Sequence, residues 1–397
     1  MDPRENPFAP GAGTQPPQLA GRSGIVSDAE VAIARARKGL GKSLLLLGLR
    51  GVGKTVLLNR LAELARAEGC LALSLEATED EGLPEMLVPP LRAALFQLSR
   101  SERTADRADR ALAVLRSFAA AFKVKLGDVE VGLKPEPGTA DSGNIEFDLT
   151  ALLETVVEAA RHEQRALVLL IDELQFLGSD DLAALIVATH RLGQKNLPFL
   201  FVGAGLPQLA ALAGEAKSYA ERLFDFPDVG PLTADAAREA IRAPLARARL
   251  EIRDDALAHI VAHTAGYPYF LQEWGYQAWN AAAGSPITLA DAKLATRAAV
   301  ERLDSGFFKV RGDRLTPRER DYMNAMASLG PGPHRSGEIA AAMKAKVSTV
   351  APLRDGLIKK GMLYSPRHGE TAFTVPMFDE YLKRSTPAHA PKRKGKR

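Results

Sequence analysis

Four consecutive leucines, Leu44–Leu47, run straight into Gly48-Leu49-Arg50-Gly51-Val52-Gly53-Lys54-Thr55, and helical spacing then carries from Lys54 to Glu68 before Gly69. A buried strand, a glycine-rich loop and a helix in that order constrain the chain strongly, because the loop must turn tightly enough for the helix to pack back on the sheet. The eight loop residues match G-x-x-x-x-G-K-[ST], the Walker A pattern. Its glycines let successive backbone N–H groups converge on an anion, and the helix N-terminus adds its positive end. Gly48, Leu49, Arg50, Gly51, Val52, Gly53, Lys54, Thr55 and Val56 are therefore the expected phosphate cradle. Lys54 would act as a point charge on the β- and γ-phosphates and Thr55 would offer its hydroxyl to Mg²⁺. Gly41-Lys42-Ser43 ends in the same letters. It is discarded, because Ala36 stands where the first glycine is required and the helix precedes the strand.

Further apolar runs, Leu71–Leu75, Ala166–Ile171 and Phe199–Val202, alternate with helical stretches, which predicts a parallel sheet covered on both faces. Ser27 and Asp28 are positioned to cap a first helix reaching Lys38, with Val31 and Ile33 among its apolar residues. The third run ends in Asp172-Glu173, a Walker B pattern. Ligands bind at the carboxyl ends of such strands, so Asp172 is expected in the Mg²⁺ shell and Glu173 as the group that orients or deprotonates the attacking water. Ser99–Asp148 exceeds a minimal unit of this kind. It contains a helical stretch and then FKVKLGDVEVGLK, whose alternation about Gly127-Asp128 suggests a β-hairpin on a surface insertion.

With those residues on the page, the chain resembles the AAA+ ATPases, in particular the Orc-like branch that ends in a winged helix. Leu19-Ala20-Gly21-Arg22, Gly203-Ala204-Gly205-Leu206-Pro207 and Gly266-Tyr267-Pro268-Tyr269-Phe270-Leu271-Gln272 add to the likeness. The resemblance implies an α/β fold, a five-stranded parallel P-loop sheet sandwiched by helices, followed by a helical lid and a winged-helix domain. It implies that Leu19, Gly21 and Arg22 pack beside adenine; an ordinary loop and helix entry is the alternative. It also implies that Arg222 completes a neighbour's site as an arginine finger in a self-associated form; a solvated arginine paired with Glu221 or Asp225 is the alternative. Two departures stand out. Gly203-Ala204-Gly205 offers no polar side chain toward a γ-phosphate, so sensing there uses backbone, uses Gln208, or does not happen. The lid has Gly266-Tyr267-Pro268 in place of a sensing arginine, similar to signalling ATPases of the STAND type, so Tyr267 and Pro268 are nucleotide-contact candidates, with a core tyrosine as the alternative. Both departures suggest a slow switch rather than a motor.

Charge is unevenly distributed. Residues 311–397 hold 18 Lys and Arg against 8 Asp and Glu, which leaves the first 310 residues net acidic in a chain whose total is +4. A basic end of that kind suits a polyanion. Leu315-Thr316-Pro317 starts a helix, Ser336 a second and Val347 a third, and two strands flank Pro366-Arg367-His368-Gly369, the pattern of a winged helix. Thr349, Arg354, Lys359, Lys360, Arg367 and His368 are the candidate contacts to double-stranded DNA; the competing reading is a module that binds protein in a signalling or scaffold ATPase.

The expected division is an extended Pro/Gly-rich lead-in over 1–24, a nucleotide domain over 25–230 with the 99–148 insertion, a lid over 231–310, a winged helix over 311–385 and a basic tail over 386–397. ATP and Mg²⁺ are the expected ligands. A single cysteine, Cys70, precludes an internal disulfide. No apolar run approaches the ~20 residues of a bilayer span, and Met1–Pro10 lacks an apolar signal region, so a cytoplasmic protein with no membrane partner is expected.

Overall fold

Five parallel strands form the main sheet: β1 (Ser43–Leu47), β2 (Leu71–Glu76), β3 (Leu167–Asp172), β4 (Phe199–Gly205) and β5 (Phe224–Asp225), in the order β2-β3-β4-β1-β5. The structure is a computed structural model and describes residues 1–11, 13–101, 104–125 and 135–385. Its contacts divide the chain into two units. One comprises Gly11–Gly48 and Val52–Ala237; the other comprises Met1–Pro10, Leu49–Gly51 and Arg238–Arg397.

In the first unit every residue of β3 and β4 is buried, as a sheet covered on both faces requires. The register runs Leu167↔Phe199 through Ile171↔Gly203, so the carboxyl ends of β3 and β4 lie side by side. The helix Lys54–Ala67 follows β1 and buries Leu57, Leu58, Leu61, Ala62 and Ala65, the stripe that helical spacing predicts. The first helix runs over Ser23–Ala36 with Arg22 at its N-cap, so Ser27 and Asp28 lie inside it rather than capping it. Ile33 is buried but Val31 is 56% exposed, because two residues along a helix point to different faces.

The 99–148 segment is not simply a surface insertion. Its helix Ala105–Ala121 packs between Leu83–Ser99 and Ile145–His162 and buries Leu112, Val114, Leu115 and Phe118. The hairpin expected about Gly127-Asp128 lies outside the described residues, as does the basic tail 386–397.

In the second unit, four helices come first: Ala234–Arg247, which begins in the sheet unit, Asp254–Thr264, Pro268–Ala281 and Leu289–Leu303. The Met1–Pro10 part of the lead-in is packed here. Phe8 is 3% exposed, and a Cβ on Gly275 would come within 2.6 Å of its ring, so the glycine makes room for the phenyl group. The indole nitrogen Nε1 of Trp279 donates to Asp2 O over 2.8 Å, and Asn6 Nδ2 donates to Tyr276 O over 3.0 Å.

Beyond them lie helices Pro317–Leu329, Ser336–Ala342 and Val347–Lys359 and an antiparallel sheet of β6 (His334–Arg335), β7 (Leu363–Tyr364) and β8 (Glu370–Phe373), ordered β6-β8-β7. Thr316 caps the first of these helices in a reciprocal box with Glu319. The short β6 and a final helix, Phe378–Ser385, were not legible as separate elements in the sequence. Among the described residues, no helix is long and apolar enough to cross a membrane.

Candidate functional site

The loop after β1 is shaped by residues on both of its sides. Gly48 has no room for a side chain, since a Cβ there would lie 2.3 Å from Val229 O. Gly53, at the N-cap of the helix Lys54–Ala67, has φ +94°, a conformation that favours glycine, and no side chain caps the helix. The first N–H groups of that helix are thus left without a capping side chain at the point where the loop curls.

Lys54 is only 6% exposed and its Nζ donates to Gly48 O over 2.9 Å, so its ammonium lies folded over the loop. The Thr55 hydroxyl donates to Asp172 Oδ2 over 2.5 Å. Asp172 is also 6% exposed, and burial pushes its carboxyl above the usual range, against hydrogen bonds from Thr55 and the Glu173 N–H and the pull of Lys54. The buried carboxylate and the hydroxyl are oxygen donors that would suit a hard divalent cation, and the neighbouring ammonium would suit phosphate oxygens. Triphosphate and Mg²⁺ are therefore compatible with Gly48, Val52, Gly53, Lys54, Thr55, Val56 and Asp172. Leu49–Gly51 group with the second unit, and Gly51 has φ +83°.

Glu173 follows in the left-handed region, φ +52°, and its N–H donates to Asp172 Oδ1 over 2.8 Å. Its Oε2 accepts a hydrogen bond from Gln175 Nε2, and Gln175 Oε1 accepts from the Leu206 N–H over 3.1 Å. Gln175 was not among the expected site residues. Its signal was a lone amide inside an otherwise apolar turn directly after the two acids.

Arg22 reaches the loop itself. Its Nη2 donates to Val52 O over 3.1 Å and to Gly230 O, and burial lowers its pKa, partly offset by Asp228. Leu19 is half-buried, and Gly21, at φ +65°, has a Cβ position 2.7 Å from Ala236 Cβ. Arg222 is exposed on the four-residue helix Ala220–Leu223. Gln208 begins the helix Leu209–Ala216. In the second unit Tyr267 is half-buried at the N-cap of the helix Pro268–Ala281, with Pro268 at its first position, and burial raises the tyrosine's pKa.

Of the six residues expected to meet DNA, Thr349, Lys359, Arg367 and His368 are exposed. Arg354 is turned inward: Nε donates to Thr371 Oγ1 over 2.9 Å and Nη2 to Ser365 Oγ over 2.9 Å, which ties the third helix to the hairpin. Lys360 is likewise engaged, pairing with Glu319 Oε2 over 2.7 Å. Arg354 is half-buried against the hairpin, and Lys360, the C-cap of the helix, is half-buried against Glu319, a distinction that basic charge alone does not carry. Lys344 and Lys346, not among those six, are also exposed in the turn before the third helix.

Residues 18–202 match the model of the AAA ATPase domain, and residues 305–382 match that of a domain of unknown function (DUF8462). With the sheet order and the loop geometry, this defines an AAA+ P-loop ATPase domain, a nucleotide-binding fold. Among solved structures, the chain is similar to a Walker-type ATPase of Pyrococcus abyssi, at 17% identity and TM-score 0.58, covering 93% of this chain and 97% of that one. It is also similar in fold to the Aeropyrum pernix ORC2 protein, solved in ADPNP-ADP complexes, at 13% identity and TM-score 0.51, covering 94% and 95%. No curated protein sequence matches the chain.

Proposed function

We propose that this protein is a Mg²⁺-dependent ATPase of slow turnover that works as a nucleotide-controlled switch. The observation that carries the reading is the convergence of Lys54, Thr55, Asp172 and Glu173 at the carboxyl ends of β1 and β3. Lys54 binds the phosphate chain, Thr55 and Asp172 hold the metal shell, and Glu173 orients water and accepts its proton. The metal's contribution is to neutralise charge on the phosphate oxygens as it develops. Slow turnover is supported by the absence of a polar side chain on Gly203-Ala204-Gly205 and by Gly266-Tyr267-Pro268 in the lid. Exposed Arg222 is suited to reach a second copy as an arginine finger, an effect worth about 10³–10⁵ in rate where it operates. Calorimetry and single-turnover phosphate release on wild type and Glu173→Gln test this. Retained binding with a rate lowered at least ~100-fold is expected; equal rates would show a binding protein without hydrolysis.

We further read the C-terminal three helices and hairpin as a winged helix that binds duplex DNA. The basic balance of residues 311–397 supports it, as do exposed Thr349, Lys359, Arg367 and His368 and the neighbouring Lys344 and Lys346. Binding through phosphates should weaken steeply with salt, so anisotropy of a random duplex at two salt concentrations, with ATP and with ADP, is the test. A second reading, a STAND-like signalling or scaffold ATPase whose C-terminal module binds protein, is favoured by a different observation. Val347 opens the third helix 50% exposed, while Arg354 and Lys360 are engaged internally. Salt-insensitive anisotropy or none would favour it.

A further inference from the structure

Gly203 and Gly205 are gaps that another element fills. A Cβ on Gly203 would lie 2.2 Å from Leu174 Cδ1, and one on Gly205 would lie 2.8 Å from Gln175 Oε1. Both neighbours come from the 3-10 turn Leu174–Phe176, which follows Glu173. The left-handed backbone of Glu173 folds that turn back over the end of β4, and the Phe176 N–H closes it on Glu173 O over 3.0 Å. Such a conformation is strained in a residue with a Cβ, so burial of Leu174 and the bonds of Gln175 must hold it. The amide of Gln175 can point only one way. Exchanging its oxygen and nitrogen would set NH₂ against the Leu206 N–H and a carbonyl against the Glu173 carboxylate, two repulsive contacts in place of two hydrogen bonds.

We propose that Gln175 is a positioning residue for Glu173, supplying from the turn the polar group that the end of β4 lacks and coupling the carboxylate to Leu206 through one side chain. Displacement of the β4 end is thereby passed to Glu173, and the glycines are the condition for that arrangement. The inference rests on the ATPase reading above.

The test compares Gln175→Ala and Gln175→Glu in the wild-type and Glu173→Gln backgrounds, measuring single-turnover phosphate release, the Kd of a fluorescent ATP analogue and Tm. Glutamate keeps an acceptor for the Leu206 N–H but sets a second carboxylate against Glu173 in place of the donor. Both variants should bind the analogue within about twofold of wild type yet hydrolyse at least about tenfold more slowly, with Tm showing that each remains folded. In Glu173→Gln neither substitution should change the residual rate. Hydrolysis by Gln175→Glu at the wild-type rate would overturn the inference and leave Gln175 a structural tie to Leu206. So would an equal loss in the Glu173→Gln background. A wild type that neither binds the analogue nor releases phosphate would overturn the ATPase reading itself and this inference with it.

Discussion

The Thr55 hydroxyl and the Asp172 carboxylate meet at 2.5 Å, joining the start of the loop helix to the end of β3 across 117 residues of sequence. That meeting brings the two nucleotide motifs into one site. Burial raises the Asp172 pKa, and hydrogen bonds from the Thr55 hydroxyl and the Glu173 N–H partly offset it.

The gap at Gly203 should be intolerant of even a methyl group. Gly203→Ala sets a Cβ against Leu174 and Leu45 and is expected to cost about 1–3 kcal/mol by overpacking. Chemical denaturation reads this directly; unchanged stability would mean that the turn at Leu174 moves freely.

Phe8 anchors the N-terminal segment on the helix Pro268–Ala281. Phe8→Ala should destabilise the second unit by about 3 kcal/mol. Thermal melting followed by tryptophan fluorescence suits the measurement, since Trp274 and Trp279 lie in that helix. A shift no larger than that of an exposed-site control would contradict the packing.

Glu319 carries a pH signature. Burial alone would raise its pKa, but the Lys360 ammonium and the hydrogen bonds from Thr316 outweigh that and hold it below the usual 4.5. A depressed folded-state value means stabilisation is full above the unfolded value and is lost as pH falls through the folded one. Wild type should exceed Glu319→Gln in stability at pH 7, and the difference should shrink as pH drops below about 4.5. A constant difference between pH 7 and pH 3 would refute the ion pair as its source.

Arg354 and Arg367 should separate by phenotype. Arg354→Ala removes donors to Thr371 and Ser365 and is expected to lower stability by about 1–3 kcal/mol. Arg367→Ala, at an exposed turn, should leave Tm unchanged and weaken duplex binding with a shallower salt slope. The reverse pattern would put Arg354 on the binding face.

Much of the main sheet was readable because buried strands are runs of apolar residues, and Leu44–Leu47 beside Gly48–Thr55 leaves few alternatives. Asp172 and Glu173 were readable for the same reason, standing where an apolar run stops. Gln175 was not, because its importance lies in contacts to Leu206 and Glu173 that only the folded turn creates. Phe8 was hidden in a Pro/Gly-rich stretch without periodicity, its socket being the missing side chain of Gly275 267 residues away. The inward contacts of Arg354 were not legible because charge reports composition and not direction; which face of the third helix meets Thr371 and Ser365 is decided by packing.

The central claim is most directly tested by titrating ATP with Mg²⁺ into wild type and Lys54→Ala by calorimetry, with melting curves to verify folding. Saturable uptake at one site in wild type, weakened at least about tenfold in Lys54→Ala at similar Tm, is the expected result. No uptake by the folded wild type, or equal affinity in the variant, would contradict it.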